Sequence, residues 1–530
     1  MKKFLPLIIL FPVLISSAQN LDSLYNKFLH IRNATQFISG QQFVVNEGPI
    51  KCGFETVNQV WLNYEKFLPK QKEELKSLLD RPITDTSFVT PSGNFRIHFS
   101  KSGSDAPGYD IRELAKAADS AYNYEVNILG FSSPPNDAGR GGDNRYDIYV
   151  LNLSSGEYGY TQFDSLLTND RYACFTVIDN DFGSGYNTHG IDGARVTVAH
   201  EFHHAIQVGD YIYRADDNYY YELTSTSMEK FVYSSLNDYI SYMDSYFRNP
   251  QRAFASNDGY NIAIWHLFLR DRFGIGIIKN IWELMPQKRA LQCIADAIQS
   301  AGSTFKVEFN QFGVWTYYTG IRALPNKYFK DAALYQSLIV PTVITNSITV
   351  NSEAVSNNFF QLNDFSTGKK DSIVTVVSNS DIAGGISSPS ATLNFTYSLS
   401  TQPISGGNKI TDRYYSKLEP NNILLIESNV LTGLISLSQL DYAFPQPFKY
   451  SLYNLINFPV ASNGETTAQL YIYSVDMNLV YSGLFNIVGN EIISWNCLDN
   501  NGKKLGTGVY IFVTKTGDAI KKGKFVIHND

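Results

Sequence analysis

The spacing of apolar and polar positions changes character several times along the chain. Lys2 and Lys3 precede an apolar run from Phe4 to Ile15, and small residues follow at Ser16, Ser17 and Ala18. This is the layout of a secretory signal peptide over residues 1–18, cut before Gln19. The run contains Pro6 and Pro12 and falls short of the ~20 apolar residues a membrane-spanning helix needs, so no span is expected in the mature chain. From residue 21 to about 82, apolar positions recur at helical spacing among alternating charges, as in VNQVWLNYEKFLPKQKEELKSLLD. That pattern predicts a helical leader or propeptide over residues 19–90. Beyond Asn94, FRIHF and YDIYVLNL alternate as strands around a helical stretch, DIRELAKAADSAYNYEVNILG, and ACFTVID reads as a further strand.

Helical spacing then dominates to about Ala323, through VTVAHEFHHAIQVGDY, ELTSTSMEKFVYSSL, IAIWHLFLRDRFG, GIIKNIWELM and ALQCIADAIQSA. Strands first and helices afterwards predict an α+β domain over residues 91–325. After Pro325, short alternating runs rich in Ser, Thr, Asn and Val predict a β-sandwich over residues 326–444. A Pro-marked junction, FPQPFKY from Phe444 to Tyr450, opens a last β-rich segment, residues 445–530. The expected fold class is multidomain, an α+β domain followed by all-β immunoglobulin-like sandwich domains.

Composition narrows the function classes. Charged residues make up 18% of the chain and aromatics 14%, which excludes charge-driven disorder and a long coiled coil. Lys and Arg number 43 against 50 Asp and Glu, a net charge of -7, and no long basic run is present to neutralise phosphates. Nucleic acid is therefore not an expected partner. Cys52, Cys174, Cys293 and Cys497 are widely scattered without C-x-x-C spacing. Buried free thiols with at most one disulfide among the first three, and two bridges, both stand open. Nothing calls for a second copy, and a monomer is expected.

The candidate chemistry lies in His200, Glu201 and His204, an H-E-x-x-H on a helix. Residues four apart share one face, so both imidazoles can reach a single tetrahedral cation. Glu201 then sits beside the open position, where a carboxylate can take a proton from a water at the metal. A third protein ligand is needed. The glycine and histidine of the extended H-E-x-x-H-x-x-G-x-x-H pattern are replaced here by Gln207 and Asp210. Asp210 is a weaker candidate and Glu222, at the start of ELTSTSMEKF, the stronger one. Glu229 lies two turns along the same face, placed to orient a ligand histidine. His203 is also one turn from His200, but only the pair His200 and His204 leaves Glu201 as general base, so His203 is expected to pack or support. His189 and His266 are expected to make ordinary hydrogen bonds. Asp179 and Asp181, in IDNDFGSG, are candidates for a structural Ca²⁺ against the plainer reading of a solvated turn. The strand Tyr146 to Asn152 is a candidate edge for pairing with an extended peptide, or else a core strand.

HEFHHAIQ followed by YELTSTSMEKF resembles the gluzincin metallopeptidases. The resemblance implies a zincin-like catalytic domain in which His200, His204 and Glu222 hold Zn²⁺, Glu201 is the general base and Glu229 is the further family glutamate. It also implies an oxyanion-stabilising role for Tyr260, at the start of YNIAIWHLFLRDRFGIGIIKNIWELM. Leu223, Thr224 and Ser225 stand where that family has Gly, a bulky residue and Ala. The C-terminal segment resembles the type A sorting domain of the type IX secretion system in Bacteroidetes. Pro445, Pro447 and Phe448 match its opening, Trp495, Asp499, Gly502, Gly508 and Tyr510 its middle, and Lys521, Lys522 and Lys524 its basic last strand. Phe444, Gln446 and Cys497 replace a Tyr, an Asn and a Gly of that pattern.

These resemblances imply export through the periplasm to the surface or medium, with the type IX machinery as a partner. The expected function is a secreted zinc-dependent endopeptidase, a hydrolase acting on protein or peptide substrates. Two alternatives accompany it. One is a catalytically degenerate zincin acting as a surface-binding or adhesive protein, and the other a peptidase latent until the leader is removed.

Overall fold

The computed structural model describes residues 11–34, 51–154, 156–339, 342–344, 347–351, 353–364, 371–387, 395–403, 415–419, 423–427, 442–461, 465–487 and 492–529. Residues 1–10 of the expected signal peptide and residues 35–50 of the expected leader lie outside them. The chain is multidomain, with a helical N-terminal region and β-sandwich-like sheets toward its C-terminus.

Three helices come first: α1 (Phe11–Ile31), α2 (Phe54–Leu62) and α3 (Pro69–Leu79). Pro69 opens α3, where its missing N–H costs nothing, and the Gln71 side chain accepts from Leu68 N at 3.1 Å. A five-stranded sheet follows, built from β1 (Thr86–Val89), β2 (Phe95–Phe99), β3 (Tyr146–Leu151), β4 (Gly159–Leu166) and β5 (Tyr172–Asp179), with α4 (Ile111–Tyr122) between β2 and β3. The order is β1-β2-β3-β5-β4. β3 pairs parallel with both β2 and β5, whereas β1 and β4 pair antiparallel at the two ends. The edge-strand expectation for Tyr146 to Asn152 is thereby corrected: both sides of β3 are hydrogen-bonded, and the edges belong to β1 and β4. All eight residues of β5 are buried, as its nearly continuous apolar run requires.

The edge of β4 is not bare. Asn58 of α2 donates from Nδ2 to Thr161 O at 2.8 Å and accepts from Phe163 N at 2.8 Å, so one side chain satisfies two backbone groups that a neighbouring strand would have taken.

α5 (Gly190–Ile206) lies against β4 and β5, α6 (Asn218–Val232) packs on α5, and both are buried almost all round. α7 (Asp244–Arg248), α8 (Ile264–Phe273), α9 (Gly276–Leu284), α10 (Ala290–Ser300) and α11 (Phe305–Tyr317) complete the helical layer around a large aromatic core.

The strands after this point are β6 (Thr342–Ile344), β7 (Ser347–Asn351), β8 (Ser356–Asp364), β9 (Asp371–Asn379), β10 (Phe395–Pro403), β11 (Tyr415–Glu419) and β12 (Ile423–Glu427), with a short α12 (Ile382–Ser387). They form a five-stranded sheet, β11-β10-β9-β8-β6, and a pair, β12-β7. β8 and β9 pack on α11. Gly313 leaves room for Val376 and Asn357, and Asn310 Nδ2 donates to Val376 O at 3.1 Å and to Ser378 Oγ at 2.9 Å.

A separate core unites β13 (Ile456–Pro459), β14 (Thr467–Ser474), β15 (Leu479–Asn486), β16 (Ile492–Trp495), β17 (Gly508–Thr516) and β18 (Ala519–Ile527) around Phe458, Trp495, Phe512 and Phe525. Lys521, Lys522 and Lys524 lie on β18, the end strand of its four-stranded sheet, where charge discourages pairing with another chain. All four cysteines are free and buried. Among the described residues, no helix is long and apolar enough to cross a membrane.

Candidate metal centre

α5 carries His200 and His204 one turn apart on the face that meets α6, and α6 presents Glu222 from its second turn. His200 Nε2 lies 3.2 Å and His204 Nε2 3.4 Å from Glu222 Oε2. The other ring nitrogens are held from behind. His200 Nδ1 donates to Glu229 Oε1 at 2.8 Å, while His204 Nδ1 donates to Gln207 Oε1 at 2.8 Å and lies 3.2 Å from Ser225 Oγ. Both Nε2 atoms are thus turned inward by their outer partners. Thr224 and Ser225, which depart from the gluzincin pattern, are buried and bonded: Trp282 Nε1 donates to Thr224 Oγ1 at 3.3 Å, and Ser225 touches a proposed ligand histidine.

A fourth residue joins them. One ligand atom each from Cys52, His200, His204 and Glu222 falls within 4.8 Å of all the others, and all four residues are buried. His204 Nε2 and Glu222 Oε1 have no hydrogen-bond partner among the described residues, at about 1–3 kcal/mol for each buried group left unsatisfied. Two inward imidazoles, a carboxylate and a thiol fit a divalent cation, which would engage those orphaned atoms. Without a cation the cluster balances its charge with protons. Burial would pull His200 down, but hydrogen bonds to Glu222 and Glu229 hold it up at about 9. Burial would push Glu222 up, but His204 and His200 hold it at about 2.

Glu201 is buried beside the cluster. Thr161 Oγ1 lies 2.9 Å from its Oε2 and 2.8 Å from its carbonyl oxygen, and burial pushes the carboxyl up. β4 can approach this helix closely because Gly159 has no Cβ, which would stand 2.7 Å from Val177 O and 2.9 Å from Thr197 Cγ2. Tyr260, half-buried, lies with its ring 6.0 Å from that of His200 and near-parallel to it, and burial together with the nearby Glu222 carboxylate pushes its hydroxyl pKa up. A cleft of about 560 Å³ opens here, lined by Cys52, Glu55, Tyr219, Glu222, Asp258 and Tyr260.

The remaining sequence candidates go elsewhere. His203 points away and donates from Nδ1 to Glu125 Oε2 at 2.8 Å. Burial lowers the histidine and raises the glutamate. Asp210 lies outside the cluster, on the π-helical turn after α5. His189 Nδ1 bonds to Gly183 O at 2.9 Å, and His266 bonds to Ser227 Oγ and Tyr220 OH at 3.1 and 3.2 Å. Asp179 accepts three backbone amides, from Leu153, Asp181 and Phe182, which is a turn's bonding pattern. Among the described residues no second group of three metal-type ligands gathers, at Asp179 and Asp181 or elsewhere.

Cys52, Lys51 and Asp238 are the participants that sequence reasoning missed. Lys51 is buried with its Nζ 2.7 Å from Glu229 Oε2 and 2.5 Å from Asp238 Oδ2. No local spacing links these residues to H-E-x-x-H, and only the fold brings them there.

No curated protein matches the chain. Among solved structures, it is similar to PorZ, a bacterial surface component of the type-IX secretion system of Porphyromonas gingivalis, at 10% identity over 30% of this chain and 37% of that one, with a TM-score of 0.14. Dimeric latent PorU from Porphyromonas gingivalis matches at 13% identity over 35% and 20%, also with a TM-score of 0.14. The chain thus spans well under half the length of either protein. The segment 99–316, which carries α5, α6 and Tyr260, matches the model of DUF6055, a family of unknown function.

Proposed function

We propose that the protein is an exported, zinc-dependent endopeptidase with a zincin-like α+β catalytic unit. The observation that carries this reading is the convergence of His200 Nε2, His204 Nε2 and Glu222 on one buried point, with Glu201 beside it on the same helix and a cleft in front. Nitrogen and oxygen donors in this number suit zinc. When bound, zinc lowers the pKa of a water toward neutrality and polarises a substrate carbonyl.

The chain's own residues do the rest. Glu201 takes the proton of the attacking water and returns it to the leaving amine. Tyr260 donates its hydroxyl to the carbonyl oxygen as charge develops there. Glu229 fixes the tautomer and orientation of His200. The signal-peptide layout and the sorting-domain resemblance support export through the periplasm by the type IX machinery to the surface or medium.

The test is metal analysis of the purified chain together with casein or gelatin cleavage by wild type and Glu201→Gln. One zinc per chain and a loss of roughly 10²–10⁴-fold in the variant are expected. No bound zinc, or equal cleavage by both forms, overturns the reading and favours a binding role for the β modules.

A further inference from the structure

We propose that Cys52 closes the fourth position of this metal centre, so that the chain folds into a latent form that opens only when the segment bearing Cys52 is displaced. The inference rests on the metalloenzyme reading above and deepens it.

Four consecutive residues of the N-terminal region engage the site at once. Lys51 forms the buried ion pairs to Glu229 and Asp238. The Cys52 thiol falls within the 4.8 Å ligand group, in the position that water activation would require. Gly53 N donates to Gly159 O at 2.9 Å, and the Phe54 ring stacks on His204 at 4.0 Å with only 4° between planes. Tyr158 N donates to Lys51 O at 3.0 Å, so Cys52 forms an isolated parallel β-bridge with Gly159 at the start of β4. An extended peptide entering the cleft would seek the same edge and the same amides. Occupation by this segment and occupation by substrate exclude each other.

Charge and coordination agree with this placement. Two neutral imidazoles, one carboxylate and one thiolate balance a buried dication, and sulfur ligation releases the thiol proton as the bond forms. Four protein ligands complete a tetrahedral shell, the arrangement of a centre without room for a reacting molecule. Removal of the thiol leaves the three-ligand shell with one open position.

The experiment uses the full chain from Gln19, loaded with Co²⁺ or Zn²⁺. The wild-type cobalt form is expected to show a sulfur-to-cobalt charge-transfer band in the near ultraviolet. Cys52→Ala should lose that band while keeping one metal per chain. With zinc, Cys52→Ala should cleave casein roughly tenfold faster or more, because a ligand tethered at about millimolar effective concentration keeps water out of the wild-type site. A wild-type spectrum without the band overturns the proposal and needs no variant to fold. Equal cleavage by wild type and Cys52→Ala, abolished in both by Glu201→Gln, overturns the latency. A band lost on substitution with no hydrolysis by any form leaves Cys52 as a ligand and removes the peptidase reading instead.

Discussion

Gly259 offers a sharp test of how the site is assembled. It holds φ at 97°, and a Cβ there would overlap the carbonyl oxygen of Tyr219 and stand 2.6 Å from Glu222 Cβ and 2.8 Å from Leu223 N. Those neighbours include backbone atoms of α6, the helix that carries Glu222, so the loop or the helix must move to admit a methyl group. Positive φ costs a non-glycine residue about 1–2 kcal/mol, and forced overpacking adds about 1–3 kcal/mol. Gly259→Ala is therefore expected to destabilise the α+β unit by roughly 2–5 kcal/mol and to displace both Glu222 and Tyr260. Calorimetry of the chain should show the transition of that unit at lower temperature, with the C-terminal sandwich transition unmoved. Chelator competition should show metal affinity reduced at least tenfold, since Glu222 is one of the proposed ligands. A Gly259→Ala protein with wild-type melting and wild-type metal affinity would refute the claim that this close approach positions the ligand.

Two further predictions follow from the described geometry. His204→Ala should lose bound metal, whereas His203→Ala should retain one per chain and lose only stability, by a few kcal/mol through its cavity and the orphaned Glu125; metal content and melting of the two variants decide the register. Asp210 is pushed up to about 7 by burial, which Arg171 only partly opposes. Its folded value lies above the unfolded ~3.9, so the stability it permits is fully present below about pH 4 and is lost as pH rises through 7. Asp210→Asn should melt at the same temperature as wild type at pH 4 and higher at pH 8, by about 2 kcal/mol once its partial exposure is allowed for.

Much of the site was readable because its chemistry is local. His200, Glu201 and His204 are set by one helical repeat, and Glu229 follows Glu222 by two turns of the next helix. The choice between His203 and His204 was less accessible, since both are one turn from His200. It is decided across the fold, where Glu125 on the extension of α4 takes His203. Sheet order is equally non-local: the alternation in YDIYVLNL is that of a strand anywhere in a sheet, and only the parallel pairing of β2 and β5 to either side makes β3 internal. Cys52 carried no signal at all, because a ligand supplied from another part of the chain has no spacing to read. In the C-terminal unit Cys497 stands where the pattern it resembles has a glycine. The backbone there keeps φ at 59°, in the left-handed region where glycine is at ease, so the glycine-type conformation persists under a different side chain.

The contact between α11 and the sandwich that follows has a consequence for how the molecule is inherited and handled. The match to the recurring family stops at residue 316, inside α11, yet Asn310 and Gly313 of that helix are fitted to Val376 and Asn357 of the next sheet. A fragment trimmed at the family boundary would take from Asn310 the Val376 carbonyl and Ser378 hydroxyl it donates to, and from Phe312 the Phe329 ring, and is expected to melt below a fragment that extends through β9.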